Sequence, residues 1–434
     1  MGYAEVAVNA SIPGRETFSY AVPQKLSVSP GQAVLVPFGE RLLQGIIIEL
    51  AEVPSFPETR ELKEIVDPKP LLSPEQIKLA RWLSDYYLSP LFDALSLMLP
   101  PGFERKNLTF IAPTEKGKSY DSSSLNDIAR QLLVVVEDRG EVRLSELEKQ
   151  FGKNLAQDTV SYLTRLDLLK RSYRLGPVKV KPKYETWLAV SPGVGEEALS
   201  TLKGAPKQAI LLDYLLKHGE TSLKAVSEVL GVNRTIANAL VAKGLIVFEQ
   251  IQVRREPIDF GKLMITPPPT LTPTQTLAFD AVRASLVERK PDVFLLHGVT
   301  GAGKTEVYLQ ALAEAVRGGR KGIVLVPEIA LTSQTIERFA ARFPRRVAVL
   351  HSRLSLGQRF DEWQRIRDGE FDVVIGPRSA LFAPQPNLGL IVIDEEHDPA
   401  YKQKDVLPFY HAREVALKLS ELTHSVVILG SATP

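Results

Sequence analysis

The chain has 434 residues, 44% hydrophobic and 24% charged, with a formal net charge of +2 and no cysteine. Those proportions fit a globular protein with room for three or four domains and exclude a disordered chain, disulfides, cysteine-ligated zinc and a thiol nucleophile within these residues. No apolar run has the length of a membrane helix and no basic segment leads into an apolar core at the N-terminus, so a cytoplasmic protein without a membrane partner is expected.

Residues 1 to about 105 alternate short apolar runs with proline and glycine, as in Val6-Ala7-Val8, Thr17-Phe18-Ser19-Tyr20, Ala33-Val34-Leu35-Val36 and Gly45-Ile46-Ile47-Ile48. This spacing predicts a small β-rich, barrel-like domain over 1–105. Ser73-Pro74-Glu75-Gln76 has the form of a capping box with proline at the first helical position, and predicts a helix whose stripe Ile77, Ala80, Trp82, Leu83 and Tyr86 packs on the sheet.

Residues 121–255 repeat with an offset of 79: Gly140-Glu141-Val142-Arg143-Leu144 aligns with Gly219-Glu220-Thr221-Ser222-Leu223, Phe151-Gly152 with Leu230-Gly231, and Leu166 with Leu245. Each copy reads helix, short helix, glycine turn, helix, strand, which predicts tandem winged-helix segments over 106–200 and 201–262. Lys170, Arg171, Arg174, Lys179, Lys181 and Lys183 suit DNA; a scaffold or protein-docking use, with those cations on a solvated linker, fits equally.

After Pro267-Pro268-Pro269 the pattern changes to strands alternating with helices. Apolar strands at 293–297, 322–326, 347–350, 372–376, 390–393 and 426–429 predict a mostly parallel, doubly wound sheet over 263–434, so the whole chain reads as multidomain α/β. Gly298-Val299-Thr300-Gly301-Ala302-Gly303-Lys304-Thr305 is a complete phosphate-binding loop between a strand and a helix. Its glycines let backbone N–H groups of the stretch from Gly298 through Thr300, Gly301 and Ala302 to Gly303 surround phosphate oxygens. Lys304 is placed to reach the β- and γ-phosphates and the Thr305 hydroxyl to ligate Mg²⁺. About ninety residues on, Asp394-Glu395-Glu396-His397 ends the apolar run Leu390-Ile391-Val392-Ile393. Asp394 would then hold Mg²⁺ at the carboxyl end of a buried strand, and Glu395 would orient or deprotonate the attacking water.

Further motifs stand at the ends of the other strands: Val326-Pro327-Glu328-Ile329-Ala330-Leu331-Thr332, His351-Ser352, Gly376-Pro377-Arg378-Ser379-Ala380-Leu381-Phe382 and Gly430-Ser431-Ala432-Thr433-Pro434. Together they resemble superfamily 2 helicases with a RecA-like lobe. The stretches VTGAGKTEVYL, VPEIALT, DEEHDPAYKQ and YHARE are similar to the PriA (primosomal protein N′) family of replication-restart helicases. Leu271-Thr272-Pro273-Thr274-Gln275 looks like an adenine-reading element, with Gln275 able to pair bidentately to the base. Tyr401-Lys402-Gln403-Lys404 and Phe409-Tyr410-His411-Ala412-Arg413 interleave aromatics with cations, a pattern in which rings stack on bases while cations take phosphates. The family has an aromatic-rich loop here, often with Arg where Phe409 stands. Tyr401, Lys402, Tyr410, Arg413 and, at the loop after the 372–376 strand, Arg378 are therefore candidate DNA contacts.

At the front, Phe18-Ser19-Tyr20 and Val36-Pro37-Phe38-Gly39 resemble the family's N-terminal domain, which recognises the 3′ end of a nascent leading strand. The resemblance implies a pocket at Phe18, Gly39 and Lys63; an Asp commonly stands where this chain has Ser19. It also implies an ATP- and Mg²⁺-dependent 3′ to 5′ DNA helicase acting at stalled forks and D-loops to restart replication through primosome assembly. Forked and single-stranded DNA, primosome proteins and single-stranded-DNA-binding protein would be its partners. Family members continue past GSATP into a zinc module and a second lobe with an arginine finger, so this chain is expected to hold the first helicase lobe only, with low activity by itself and zinc confined to the portion beyond. Two other readings stand beside that one: a fork-binding module that holds nucleotide without unwinding, and a P-loop regulator of transcription. The motifs at 351, 376 and 430 speak against the regulator, which has no use for strand-tracking loops.

Overall fold

The computed structural model describes residues 2–10, 15–39, 41–56, 59–105, 107–177, 180, 183–253 and 267–433. They gather into two compact units, residues 1–179 with 259–434, and residues 180–258. The 262/263 boundary expected from the sequence, Lys179, Lys181 and Pro434 lie outside the described residues.

In the first unit, β1 (Tyr3–Val8), β2 (Phe18–Ala21), β3 (Ala33–Phe38), β4 (Arg41–Ala51), β5 (Arg60–Glu61) and β6 (Glu64–Ile65) form a six-stranded half-barrel sheet in the order β5-β2-β1-β4-β3-β6. Strand alternation divides its side chains between two cores. Val6, Val8, Tyr20, Val34 and Val36 gather on one face; Ala7, Ala33, Ile46 and Ile48 face the other, under α1 (Pro74–Tyr87) and α2 (Leu91–Ser96). The Ser73–Gln76 capping box opens α1 as expected. The apolar stripe differs: Ile77, Ala80 and Leu83 are buried, whereas Tyr86 is exposed and lies stacked on Trp82. The core under α1 continues without a break into the P-loop lobe, and the Trp363 indole N–H donates to Met98 O at 3.2 Å across that junction.

Next come β7 (Asn107–Pro113), the short α3 (Glu115–Lys118), α4 (Asp127–Arg139), β8 (Val142–Arg143), α5 (Leu144–Phe151), α6 (Lys153–Arg165) and β9 (Leu169–Leu175), with sheet order β8-β7-β9. The second unit holds β10 (Lys183–Val190), α7 (Pro206–His218), β11 (Thr221–Ser222), α8 (Leu223–Leu230), α9 (Arg234–Ala242) and β12 (Ile246–Val253), with sheet order β11-β10-β12. Each copy closes a separate leucine-rich core. The expected boundary at 200 is corrected by pairing: β10 is hydrogen-bonded to β11 and β12, so 183–200 belongs with the second copy. Of the cations proposed for DNA, Arg174 pairs with Glu141 at 2.8 Å and Arg171 donates to Ser161 Oγ at 2.7 Å, leaving Lys170 as an exposed one on β9.

The P-loop lobe runs α10 (Pro273–Glu288), β13 (Val293–His297), α11 (Lys304–Arg317), β14 (Lys321–Leu325), α12 (Ser333–Arg342), β15 (Val347–Val349), α13 (Leu356–Arg367), β16 (Val373–Gly376), β17 (Leu388–Ile393), α14 (Ala412–Thr423) and β18 (Val426–Ser431). The sheet is parallel throughout in the order β13-β18-β17-β14-β16-β15. β17 is buried at all six positions, which is why its sequence is an unbroken apolar run and not an alternating one. Among the described residues no helix is long and apolar enough to cross a membrane.

Candidate nucleotide site and nucleic-acid face

Gly301 and Gly303 adopt φ of +84° and +80°, the left-handed region that a Cβ disfavours, and so turn the loop tightly into α11. The helix begins at Lys304, whose ammonium donates to Gly298 O at 2.7 Å and stands 3.9 Å from Glu395 Oε1, with the side chain only 9% exposed. Thr300, Gly301 and Ala302 form the exposed tip, and Thr305 sits in the first helical turn. Gln275 belongs to this assembly through its amide: Oε1 accepts from Thr272 N at 2.9 Å and Nε2 donates to Ala302 O at 2.9 Å. Both ends are thus taken by the α10 cap and by the loop, so pairing to a base requires these bonds to be exchanged.

Asp394 follows β17 at the carboxyl edge of the sheet. Burial pushes its carboxyl above the usual carboxylate range; the Tyr308 hydroxyl, donating to Oδ1 at 3.1 Å, opposes that. Tyr308 lies one turn beyond Lys304 and is itself buried. Its hydroxyl fits because Gly430, at the end of β18, has no side chain: a Cβ there would overlap the hydroxyl and come within 3.2 Å of Asp394 Oδ1. Tyr401 braces the same residue from the other side, donating to Asp394 O at 2.6 Å and lying 3.1 Å from Leu325 O. Glu395 takes a left-handed φ of +47° and stands 3.8 Å from His397 Nε2, while His397 Nδ1 lies 3.0 Å from Ser431 Oγ. Phosphate loop, acidic motif and the Ser431-Ala432-Thr433 stretch therefore meet at one edge. Tyr308 and Gly430 lie within the stretches VTGAGKTEVYL and GSATP, but their relation is spatial and escaped the motif reading; the (i, i+4) spacing of Lys304 and Tyr308 is the one signal that could have found it.

The candidate DNA residues divide. Arg378 donates to Ala400 O at 2.7 Å and to Gln403 Oε1 at 2.5 Å, tying its loop to the 400–403 segment. Tyr401 and Tyr410 are 1% and 2% exposed. This corrects the expectation that they stack on bases, because their rings are consumed by packing, Tyr410 edge-on to Phe382 with centroids 5.0 Å apart. Burial also pushes the Tyr410 hydroxyl up to about 12. Phe409, at 44%, is the exposed ring of this loop. Lys402 donates to Phe409 O at 2.6 Å and lies 5.5 Å from the Tyr87 ring centroid, and Arg413 pairs with the buried Glu396 at 3.1 Å. The loop is thereby fastened both to α1 and to the residue after Glu395.

In the half-barrel, Phe18 packs edge-on against Phe38 at 5.1 Å, Gly39 turns with φ of +59° in open space, and Lys63 is exposed. Ser19 points to the opposite face, where it donates to the buried carboxylate of Glu5; Thr17 and Ser55 hydroxyls donate to the same group at 3.0 and 2.9 Å. A carboxylate thus stands beside position 19 after all, supplied by the neighbouring strand.

Residues 5–100 match the family of the 3′DNA-binding domain (3′BD), and residues 272–434 match the DEAD/DEAH box helicases. The chain thus joins a 3′DNA-binding domain to a helicase-type lobe. Along its length it is similar to "Replication restart protein PriA" of Bacillus subtilis (strain 168), 35% identical over 455 residues that cover 100% of this chain and 53% of that protein. Its Synechocystis counterpart is 36% identical over 450 residues, 99% and 52% of the two chains. A Treponema pallidum relative of the same name is 49% identical over 164 residues, 38% and 24% of the two chains. Along its whole length the chain is thus similar to replication restart proteins named PriA, and it spans about half the length of the curated relatives it matches. Among solved structures, RecG bound to a three-way DNA junction is 26% identical over 39% of this chain and 22% of its own, with a TM-score of 0.31, a likeness too slight to place any residue.

Proposed function

We propose that these residues are the 3′-end-binding and nucleotide-binding part of an ATP-dependent 3′ to 5′ DNA helicase that acts on stalled forks and D-loops to restart replication. The observation that carries this reading is the convergence of Lys304, Glu395 and the Tyr308-held Asp394 at the carboxyl edge of a parallel sheet. ATP binds with its phosphates in the loop of Gly298 to Gly303 and on the Lys304 ammonium. Asp394 and Thr305 are the residues that would hold Mg²⁺, a donor set of one carboxylate and one hydroxyl that suits an ion otherwise ligated by phosphates and water. Mg²⁺ when bound offsets charge on the transferred phosphoryl group. Glu395 orients the attacking water and takes its proton, with His397, held by its contact to Ser431, beside it.

Four functional segments follow from this reading: 1–105 for the 3′ end, a winged-helix segment reaching β9, a second one from β10 to about 262, and the ATP-binding lobe from 263. Phe18, Gly39 and Lys63 line the 3′-end pocket. Forked and single-stranded DNA are the ligands, with Arg378, Lys402, Phe409 and Arg413 along the strand; primosome proteins and single-stranded-DNA-binding protein are the protein partners. Lys304→Ala should weaken ATP binding at least tenfold, and Asp394→Ala should abolish its dependence on Mg²⁺ while the protein stays folded. Titration with a fluorescent ATP analogue checks both; unchanged affinity in both variants removes the site. Forks with a free 3′-hydroxyl at the junction should bind more tightly than forks with a blocked one, and equal affinities remove the pocket.

A further inference from the structure

The backbone of Asp394 is pinned on both sides. Its amide donates to Leu325 O at 2.9 Å, at the end of β14, and its carbonyl accepts from the Tyr401 hydroxyl at 2.6 Å. Those bonds leave the carboxylate free to rotate. The last torsion of an aspartate joins an sp³ to an sp² carbon and is broad, so rotamer preference alone does not aim the two oxygens. The Tyr308 hydroxyl supplies the aim by donating to Oδ1 at 3.1 Å.

Tyr308 has the marks of a fixed reference and not of one more core ring. Its side chain is 1% exposed, and its hydroxyl lies over the bare backbone of Gly430, in the space a Cβ would fill. Burial and the adjacent Asp394 carboxylate push the hydroxyl far above the usual tyrosine range, so it keeps its proton and meets Asp394 as a donor. Tyr308 also belongs to α11, one turn after Lys304. The helix whose first residues serve the phosphates therefore carries, on its next turn, the group that sets the rotation of the acidic carboxylate.

We propose that Tyr308 is a positioning residue for the divalent cation: it holds the Asp394 carboxylate in the rotation that serves the ion, and through α11 it keys that rotation to the phosphate loop, touching neither nucleotide nor ion itself. The inference rests on the reading of Asp394 as the Mg²⁺ residue and deepens it. Mg²⁺ demands near-ideal octahedral geometry and takes few carboxylates, so a carboxylate free to turn serves it poorly. A partner that orients a metal-holding group in this way is worth about 10–100-fold in metal affinity. A role in packing alone predicts a different result, with stability lost and the contribution of the ion intact.

The test uses the whole 434-residue protein. Binding of a fluorescent ATP analogue is followed first in EDTA and then as Mg²⁺ is added, and the Mg²⁺ concentration at half the response is read. Tyr308→Phe keeps the ring and removes the hydroxyl; it should leave binding in EDTA unchanged and raise the Mg²⁺ midpoint about 10–100-fold. With 4-aminophenylalanine at position 308, a weaker donor in the place of the hydroxyl, the midpoint should fall between those two. If Tyr308→Phe does not fold, the amino variant still decides, since its midpoint should lie above that of the parent protein. A midpoint unmoved in the folded variants, while Asp394→Ala loses the response to Mg²⁺, overturns the positioning role and leaves the ion's site in place. A response to Mg²⁺ that survives in Asp394→Ala overturns the underlying reading, and the positioning role with it.

Discussion

At Gly430 the absence of one methyl group sets the geometry of the acidic motif. The Tyr308 hydroxyl occupies the space a Cβ would take, and that hydroxyl holds Asp394 Oδ1. Overpacking a closed site of this kind costs about 1–3 kcal/mol. Gly430→Ala should therefore lower stability by that amount, and the cost should shrink in a Tyr308→Phe background, where the overlapping oxygen is gone. Urea denaturation of the four members of the cycle measures the coupling; additive losses would mean that the two residues do not share the site as drawn. The contrast with Lys304 shows what a sequence can carry at this scale. Loop residues 298–305 are consecutive and each answers to one chemical need, so the string alone displays them. Tyr308, Gly430 and His397 fall inside motifs that the string displays, yet they act through partners far along the chain, and nothing local marks those partners. Tyr401 and Tyr410 erred the other way, because an aromatic between cations looks the same whether its ring faces solvent or core.

Elements were legible where a single periodicity ruled them. Strands of the parallel sheet appeared as unbroken apolar runs because both of their faces are covered, and α1 was announced by Ser73 and Gln76. The opening strands of the two repeats were not: β7 and β10 pair with partners more than fifty residues away, as in Leu188 with Phe248, and their polar outward positions dilute the signal. Packing between elements was also invisible, as in the two bonds of Arg342 to Glu306 at 2.8 and 2.7 Å that fix α12 on α11. Removing one partner from a shielded pair costs about 3–5 kcal/mol because a charge is left uncompensated. At side-chain exposures of 10% and 18% this pair should fall at or below the low end of that range. Arg342→Ala is expected to destabilise the lobe visibly in a thermal melt, and Arg342→Ala with Glu306→Gln to recover part of the loss. In the second unit, Leu211 is fully buried in a core separate from the first unit's. Leu211→Ala should cost about 2–5 kcal/mol in that unit, and calorimetry should show one transition moving while ATP binding by the other unit stays as it was.

At the scale of the molecule, one hydrophobic core runs from α1 of the half-barrel through β17 to α14, so the proposed 3′-end domain and the nucleotide lobe move as one body. The 401–413 loop is built into the same body: Tyr87 on α1 accepts from His411 N at 3.0 Å, and Arg413 two residues on holds Glu396 beside Glu395. Such an arrangement suits binding and alignment, yet unwinding requires more than one rigid body, since a strand advances when two grips alternate across a closing cleft. Hydrolysis is limited as well: an arginine delivered to the transferred phosphoryl group contributes about 10³–10⁵ in turnover. The arginines of the acidic-motif neighbourhood are otherwise engaged, Arg413 with Glu396 and Arg378 with Ala400 and Gln403. A polypeptide of these 434 residues should therefore bind branched DNA with an affinity that falls as salt rises, through release of counterions from phosphates. It should hydrolyse ATP slowly with or without DNA, and should displace no strand. Strand displacement on a labelled fork, run with excess ATP and Mg²⁺ beside an assay of phosphate release, decides the matter. Robust unwinding by the monomer would show that one P-loop lobe with its half-barrel suffices, and would move the second grip onto the repeats of β7 to β12.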